Sequence, residues 1–266
     1  MSQVRVLKWR LVVSPPGDAY LNMAIDEAML DARMRGLAPN TLRLYTWLPS
    51  AASVGYFQDM EQYIDLEACR RLGVQAVRRP TGGGAVYHDS AGELTYSVVA
   101  DLKSIGASDT IGVYQRIIES ITSGLKLLGI KASVSMGSSR ECPNIRVGSA
   151  KISGSAQLIR GGYFLQHGTL LVSVDLVKMF TVLKHPFSSP EEAAEKLSTR
   201  ISSISQLLGC SVSRWEVADC VVAGFSEVLG VSFERRPLTL WELRRAGELR
   251  RKYSSREWNL ERRRFK

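Results

Sequence analysis

Apolar positions along this chain change period several times, and each change marks an element. Residues 7–13 are mostly apolar and β-branched and read as a first strand, which Pro15-Pro16-Gly17 ends. Asp18 then caps a helix in which Leu21, Ala24, Ile25, Ala28, Met29 and Ala32 recur at helical spacing up to Gly36. Asn22, Asp26 and Glu27 lie among them, and the two acids read as a solvated helix face. Residues 41–47 and 52–57 read as strands, 64–72 as a helix ended by Gly73, and 74–77 as a strand. Residues 86–89 resume an extended strand. Residues 94–100 form a strongly β-prone run expected to pair with 85–88 across a turn at Ser90-Ala91-Gly92.

The second half continues the alternation. Asp109 caps a long helix with Ile117, Ile118, Ile121, Leu125 and Leu128 on one face, ended by Gly129. Residues 131–136 read as a strand and 137–144 as a loop. Residues 145–147, 150–158 and 163–174 read as a meander turning at Gly148 and Gly161-Gly162. A helix or turn at 178–186 leads to a second helix opened by Ser189-Pro190-Glu191-Glu192, a capping-box pattern with Pro at the first helical position. Residues 215–229 read as an amphipathic helix, 231–235 as a last strand, and the remainder as a basic helical tail. Interspersed helices and meanders imply an α+β fold, with mixed, mostly antiparallel sheets flanked by helices.

Between two of these strands lies the most unusual stretch, Arg78-Arg79-Pro80-Thr81-Gly82-Gly83-Gly84-Ala85-Val86-Tyr87-His88-Asp89. Three glycines let a backbone lie flat against a ligand, with N–H groups free to meet an anion. Arg79 offers a permanently charged fork for phosphate or carboxylate. A tight hairpin needs only one or two special glycines, so a bare turn explains the stretch poorly. The pattern matches neither a P-loop nor a dinucleotide fingerprint.

Composition narrows the class. With 266 residues, 45% apolar and 23% charged, the chain is an ordinary globular one. No apolar run approaches a membrane span and the N-terminus has no signal-peptide pattern, so a cytoplasmic protein is expected. Cys69, Cys142, Cys210 and Cys220 lack metal-ligand spacing and fit reduced thiols. Residues 244–266 hold ten Lys or Arg against three Glu, so +7 of the net +9 sits in that tail. The remaining body is near neutral, which argues against nucleic acid; a basic tail suits a solvated helix or an acidic protein partner.

Two further segments can converge on the glycine stretch. In residues 150–157, strand alternation puts Lys151, Ser153 and Ser155 on one face, with Gly154 and Ala156 between and beyond them. In Gln166-His167-Gly168-Thr169, His167 is either a satisfied core histidine or a polar contact.

RRPTGGGAVYHD, KISGSAQ and QHGTLLV together resemble the lipoate–protein ligase family, and residues 42–58 and 253–259 extend the likeness over nearly the whole chain. The resemblance implies a catalytic domain over residues 1–243 and a basic helical tail over 244–266, without the family's accessory C-terminal domain. It implies activation of lipoate by Mg2+ and ATP to lipoyl-AMP, then transfer to a lysine of an apo lipoyl domain, either of a 2-oxoacid dehydrogenase or of a glycine cleavage H protein. A separate accessory ligase subunit is expected to complete the enzyme. By position, Arg79, Gly83, Gly84, Ala85, Val86, Tyr87 and His88 would hold nucleotide and acyl chain, together with Ser153, Gly154, Ala156, His167 and Thr169. Lys151 would be the catalytic cation. The resemblance also admits an octanoyltransferase, which would use Cys142 as nucleophile beside Lys151. The nine-residue spacing from Cys142 to Lys151 is shorter than such transferases imply, so the ligase is the leading expectation. The glycine-rich arginine signature of biotin ligases is absent.

Overall fold

The computed structural model describes residues 7–137 and 143–262. Eleven strands appear among them: β1 (Leu7–Val13), β2 (Thr41–Tyr45), β3 (Ala51–Val54), β4 (Gln75–Arg78), β5 (Val86–His88), β6 (Glu93–Asp101), β7 (Ser133–Ser135), β8 (Asn144–Val147), β9 (Ala150–Arg160), β10 (Tyr163–Leu171) and β11 (Val231–Arg235). The helices are α1 (Ala19–Met34), α2 (Met60–Tyr63), α3 (Leu66–Leu72), α4 (Thr110–Leu127), α5 (Leu176–Val182), α6 (Pro190–Leu197), α7 (Ile204–Leu208), α8 (Arg214–Leu229), α9 (Leu240–Ser254) and α10 (Arg256–Asn259). A large sheet runs β11-β1-β2-β6-β10-β9-β8-β7 and a small one β4-β3-β5. Pairing is parallel at β1–β11, β1–β2 and β3–β4 and antiparallel elsewhere, which makes the fold α+β with mixed sheets.

Strand alternation splits the core in two. Leu94, Tyr96, Val98, Phe164 and Leu170 face α4 and α8. Tyr45, Val99 and Leu165 face α1 and α9 on the other side of the sheet. The small sheet packs Ala52, Val54 and Tyr87 against α5 and α6. Side chains close the helix ends as the sequence suggests: Asp18 accepts from Leu21 N–H and Asp109 from Gly112 N–H. At α6, Ser189 accepts from Glu192 N–H, but the Glu192 carboxylate takes Ser188 N–H, so the reciprocal half of the expected box is displaced by one residue.

Two expectations are corrected here. β6 does not pair with β5; it lies between β2 and β10, while β5 pairs with β3. The turn after Asp89 carries the chain from the small sheet to the large one, and turn residues look the same whether or not the flanking strands pair. The acids of α1 are not a solvated face: Asp26 is fully buried and Glu27 is nearly so. The helix lies between the sheet and α9, which covers the flank where Glu27 meets Lys252 and Tyr253.

Candidate active site

The glycine stretch leaves β4 and returns as β5, so the small sheet holds both of its ends. Gly83 adopts φ +89°, a left-handed conformation that favours glycine, and there the loop reverses. Arg79 is buried and braces the loop from inside. Its guanidinium donates to Gly82 O and Gly84 O at 2.9 Å and to Ser53 Oγ at 2.7 Å. A cation expected at ligand phosphates is thus engaged with the carbonyls of its own loop.

The loop roofs a cavity of about 150 Å³ against β2, β6, β9 and β10. Arg79, Gly83, Gly84, Ala85, Val86 and His88 line it from the loop side, and Lys151, Gly154, Ala156, His167 and Thr169 from the large sheet. Tyr87 and Ser153 point elsewhere. Tyr87 packs within the small-sheet core, and Ser153 is buried opposite Leu170, whose side chain packs in the α4/α8 core.

Lys151 reaches the cavity through a break in alternation. Across β8 and β9, Ile145 pairs with Ser153 and Arg146 with Lys151, so Ile152 is an extra residue in the ladder. That bulge turns Ile152 into the α4/α8 core and Lys151 onto the face of Gly154 and Ala156. Strict alternation, which grouped Lys151 with Ser153 and Ser155, fails at this point. The lysine folds over Gly154, where a Cβ would lie 3.2 Å from Nζ.

Behind the walls stand two histidine chains. Asp26 Oδ2 accepts from His167 Nδ1–H at 2.9 Å, and His167 Nε2 meets Thr81 Oγ1 at 2.8 Å. Glu93 Oε1 accepts from His88 Nδ1–H at 2.9 Å, and His88 Nε2 meets Ser53 Oγ at 2.7 Å. At His167 the Thr81 hydroxyl therefore donates to the ring, and this imidazole is held as the Nδ1–H tautomer. Burial lowers the His167 pKa, and the Asp26 hydrogen bond only partly opposes it, so the ring stays neutral. Burial would raise Asp26, but the Arg43 guanidinium at 2.8 Å and His167 outweigh it and hold the carboxyl below its ordinary range. Burial and the Asp26 charge push the Tyr45 phenol well up, which keeps it a donor to Asp26. With both ring nitrogens engaged, neither histidine is a free base. Trp47 stacks on His88 with ring centroids 4.0 Å apart and donates to Thr95 Oγ1 at 2.8 Å.

The sequence reading missed Met23, Tyr45, Trp47 and Thr95 in the cavity wall, and Asp26, Ser53, Thr81 and Glu93 behind it. None of these left a distinct signal, since Asp26 shares its helix with Asn22, Glu27 and Asp31. Cys142 lies outside the described residues, while its neighbour Pro143 lines the cavity. Burial pushes the Cys69 thiol up to about 11, which leaves it inert. No described helix is long and apolar enough to cross a membrane.

A protein of Carboxydothermus hydrogenoformans named Octanoyltransferase LipM is 36% identical over 264 residues, covering 94% of this chain and 97% of that protein. The protein of the same name from Kyrpidia tusciae is 37% identical over 270 residues, covering 94% and 98%. Among solved structures, a chain of the archaeal lipoylation system of Thermoplasma acidophilum, described as a bi-partite lipoate protein ligase and its E2 lipoyl domain, superposes with a TM-score of 0.83. It is 32% identical and covers 98% of this chain and 99% of that one. Lipoate-protein ligase A bound with ATP also gives 0.83, at 31% identity over 96% and 99% of the two chains.

The near-full-length likeness to octanoyltransferases corrects the leading expectation of an ATP-dependent lipoate–protein ligase. ATP and Mg2+ as cofactors, free lipoate as substrate and a separate accessory subunit belonged to that reaction and fall with it. The same likeness overturns the spacing argument against a transferase. The family description "Lipoyl protein ligase A/B catalytic domain" matches residues 18–226, most of the chain, and the chain belongs to that family.

Proposed function

We propose that this chain is an octanoyltransferase that takes an octanoyl group from a thioester on one carrier protein and delivers it, through Cys142, to a lysine of an apo lipoyl domain. The observation that carries this reading is the single cavity bounded by the glycine loop, Lys151 and Pro143, with Met23, Tyr45 and Trp47 as a mainly apolar wall. An aliphatic chain suits such a wall, and the residue joined to Pro143 is a cysteine.

The steps balance without ATP. The Cys142 thiolate attacks the thioester carbonyl, the carbon–sulfur bond to the donor breaks, and the donor leaves as a thiolate that takes a proton from solvent. The acceptor lysine, as a free amine, then attacks the acyl-cysteine. An amide forms, the Cys142 thiolate is expelled, and the amine's proton is released. The Lys151 ammonium favours the thiolate form of Cys142 and stabilises negative charge on the carbonyl oxygen in both steps. Thr81 holds the His167 ring in one neutral arrangement, so that part of the wall presents no charge to an uncharged acyl chain. The cysteine has to stay reduced, which suits the cytosol. The acceptor class is the lipoyl domain of a 2-oxoacid dehydrogenase or the glycine cleavage H protein.

Intact-mass spectrometry tests this. Mixed with an octanoylated donor carrier, the chain should gain one octanoyl group that hydroxylamine removes, and it should pass that group to an apo lipoyl domain without ATP. Cys142→Ser should form no hydroxylamine-labile adduct, and Lys151→Met should slow transfer by roughly 10²–10³-fold. Transfer that persists in Cys142→Ser, or that requires ATP, would overturn the reading.

A further inference from the structure

A second depression lies on the outer side of the glycine loop, an open cleft of about 590 Å³. Residues next to those of the cavity line it. Gly82 faces the cleft where Gly83 and Gly84 face the cavity, and Leu158 and Arg160 line the cleft where Gly154 and Ala156 line the cavity. Gly154, Ala156, Leu158 and Arg160 alternate along β9, so they share one face. That face runs from beside Lys151, in the cavity, to the cleft at the end of the strand. The six residue steps from Gly154 to Arg160 cover about 20 Å at roughly 3.3 Å each.

The chemistry changes along this face. Its inner end is the acyl cavity. Its middle carries Leu158, Pro80, Tyr56 and Trp258, with Gln157 and the Glu27–Lys252 ion pair beside them. Phe57 stands at its edge, 79% exposed and perpendicular to Tyr56, a large apolar ring with little covering it. At the outer end the guanidiniums of Arg160 and Arg245 converge on the single carboxylate of Asp31, at 3.5 and 2.8 Å. Arg245 also bonds the exposed Glu248. Helix α9, which forms this rim, carries five Lys or Arg against two Glu.

We propose that this cleft holds the 4′-phosphopantetheine arm of the acyl donor, with its phosphodiester at Arg160 and Arg245 and its thioester at Lys151. The inference rests on the octanoyltransferase reading. An extended arm of this kind has the length of this run and the matching order of groups: an anion at one end, a branched aliphatic and amide middle, and an acyl thioester at the other. Asp31 holds two guanidiniums at one point, where a phosphate can bridge them. The excess of cations on α9 draws an acidic carrier to the same rim.

Two soluble donors that differ only in the phosphate test this: octanoyl-4′-phosphopantetheine and octanoyl-pantetheine. Each is given to the full chain with an apo lipoyl domain, and transfer is read by intact mass. The native chain should use the phosphorylated donor with kcat/KM roughly tenfold higher, through KM, as one charge-assisted contact provides. In Arg160→Gln with Arg245→Gln that ratio should fall toward one, and Arg160→Gln alone should lower it part of the way. Turnover of octanoyl-pantetheine by these variants shows that they have folded. Equal use of the two donors by the native chain, or a ratio preserved in the double variant, would overturn the arm site while leaving the transferase reading standing. A rise confined to the KM of the lipoyl domain would assign the cleft to the acceptor and also overturn it. No transfer from either donor would remove the transferase reading and the arm site together.

Discussion

Asp26 sits between the Arg43 guanidinium, the His167 ring and the Tyr45 hydroxyl, with no exposure to water. A carboxylate so placed is held by its partners, and Arg43, equally buried, depends on it. Replacing Asp26 with Ala strands the Arg43 charge and should cost about 3–5 kcal/mol, read as a lower urea midpoint. The same cluster sets an acid dependence. Burial keeps the folded-state pKa of His167 below the ordinary imidazole value near 6.5, so in between the unfolded chain binds a proton that the folded chain does not. Stability should therefore rise with pH through that window and be lost as pH falls from about 6.5 through the folded pKa. The lowered Asp26 acts in the same direction below about 4. Urea midpoints measured between pH 7.5 and pH 5 should drop for the native chain and drop less for His167→Gln. Equal slopes would refute a buried neutral ring at this position. The motif residues were legible because catalysis needs unusual residue types close together in sequence. Asp26, Ser53 and Glu93 were not, because common residues gain a role only through partners far along the chain.

At the level of elements, α4 and α8 cross with their backbones in contact. A Cβ at Gly224 would lie 2.2 Å from Ser120 O, and one at Gly124 would lie 2.5 Å from Cys220 O. These two glycines set how closely the helices seal the core beneath β6 and β10. Gly224→Ala should force the helices apart and cost about 1–3 kcal/mol, with the urea slope unchanged, while octanoyl transfer by the folded protein persists. A neutral effect would mean that the crossing relaxes freely. Helix and strand types were readable from period alone over most of the chain, since 3.6 and 2.0 are properties of a single element. The pairing of β6 and the facing of Lys151 were not readable. The first depends on which strands meet, and the second on one extra residue in the β8–β9 ladder.

Across the whole molecule, the C-terminal segment fastens the strand that feeds the glycine loop. Arg78 is fully buried and donates to Trp258 O at 3.0 Å and Asn259 O at 2.7 Å, while Trp258 Nε1–H donates back to Arg78 O at 2.9 Å. Asn259 Oδ1 also accepts from Arg78 N–H at 2.8 Å. The last residue of β4, immediately before the Arg79 brace, is thus fastened by the end of the chain. A chain shortened to residues 1–255 should lose about 3–5 kcal/mol, a large share of a typical domain's stability, and should lose octanoyl transfer with it. Denaturation and intact-mass assays on the shortened chain check both. Full activity would show that the glycine loop holds its shape unaided.

The sequence by itself determined the element types, the α+β class, the family likeness and the three segments that meet at the site. Periodicity and the exclusion of ordinary residues from tight loops are local constraints, written in neighbouring positions. The tertiary structure alone decided which carboxylates stand behind the histidines, that Arg79 turns inward onto its own loop, that a bulge delivers Lys151 to the cavity, and that the basic C-terminal helix fastens the core. Each of these depends on distances between residues far apart in the chain, and burial then converts those distances into charge state and hydrogen-bond direction.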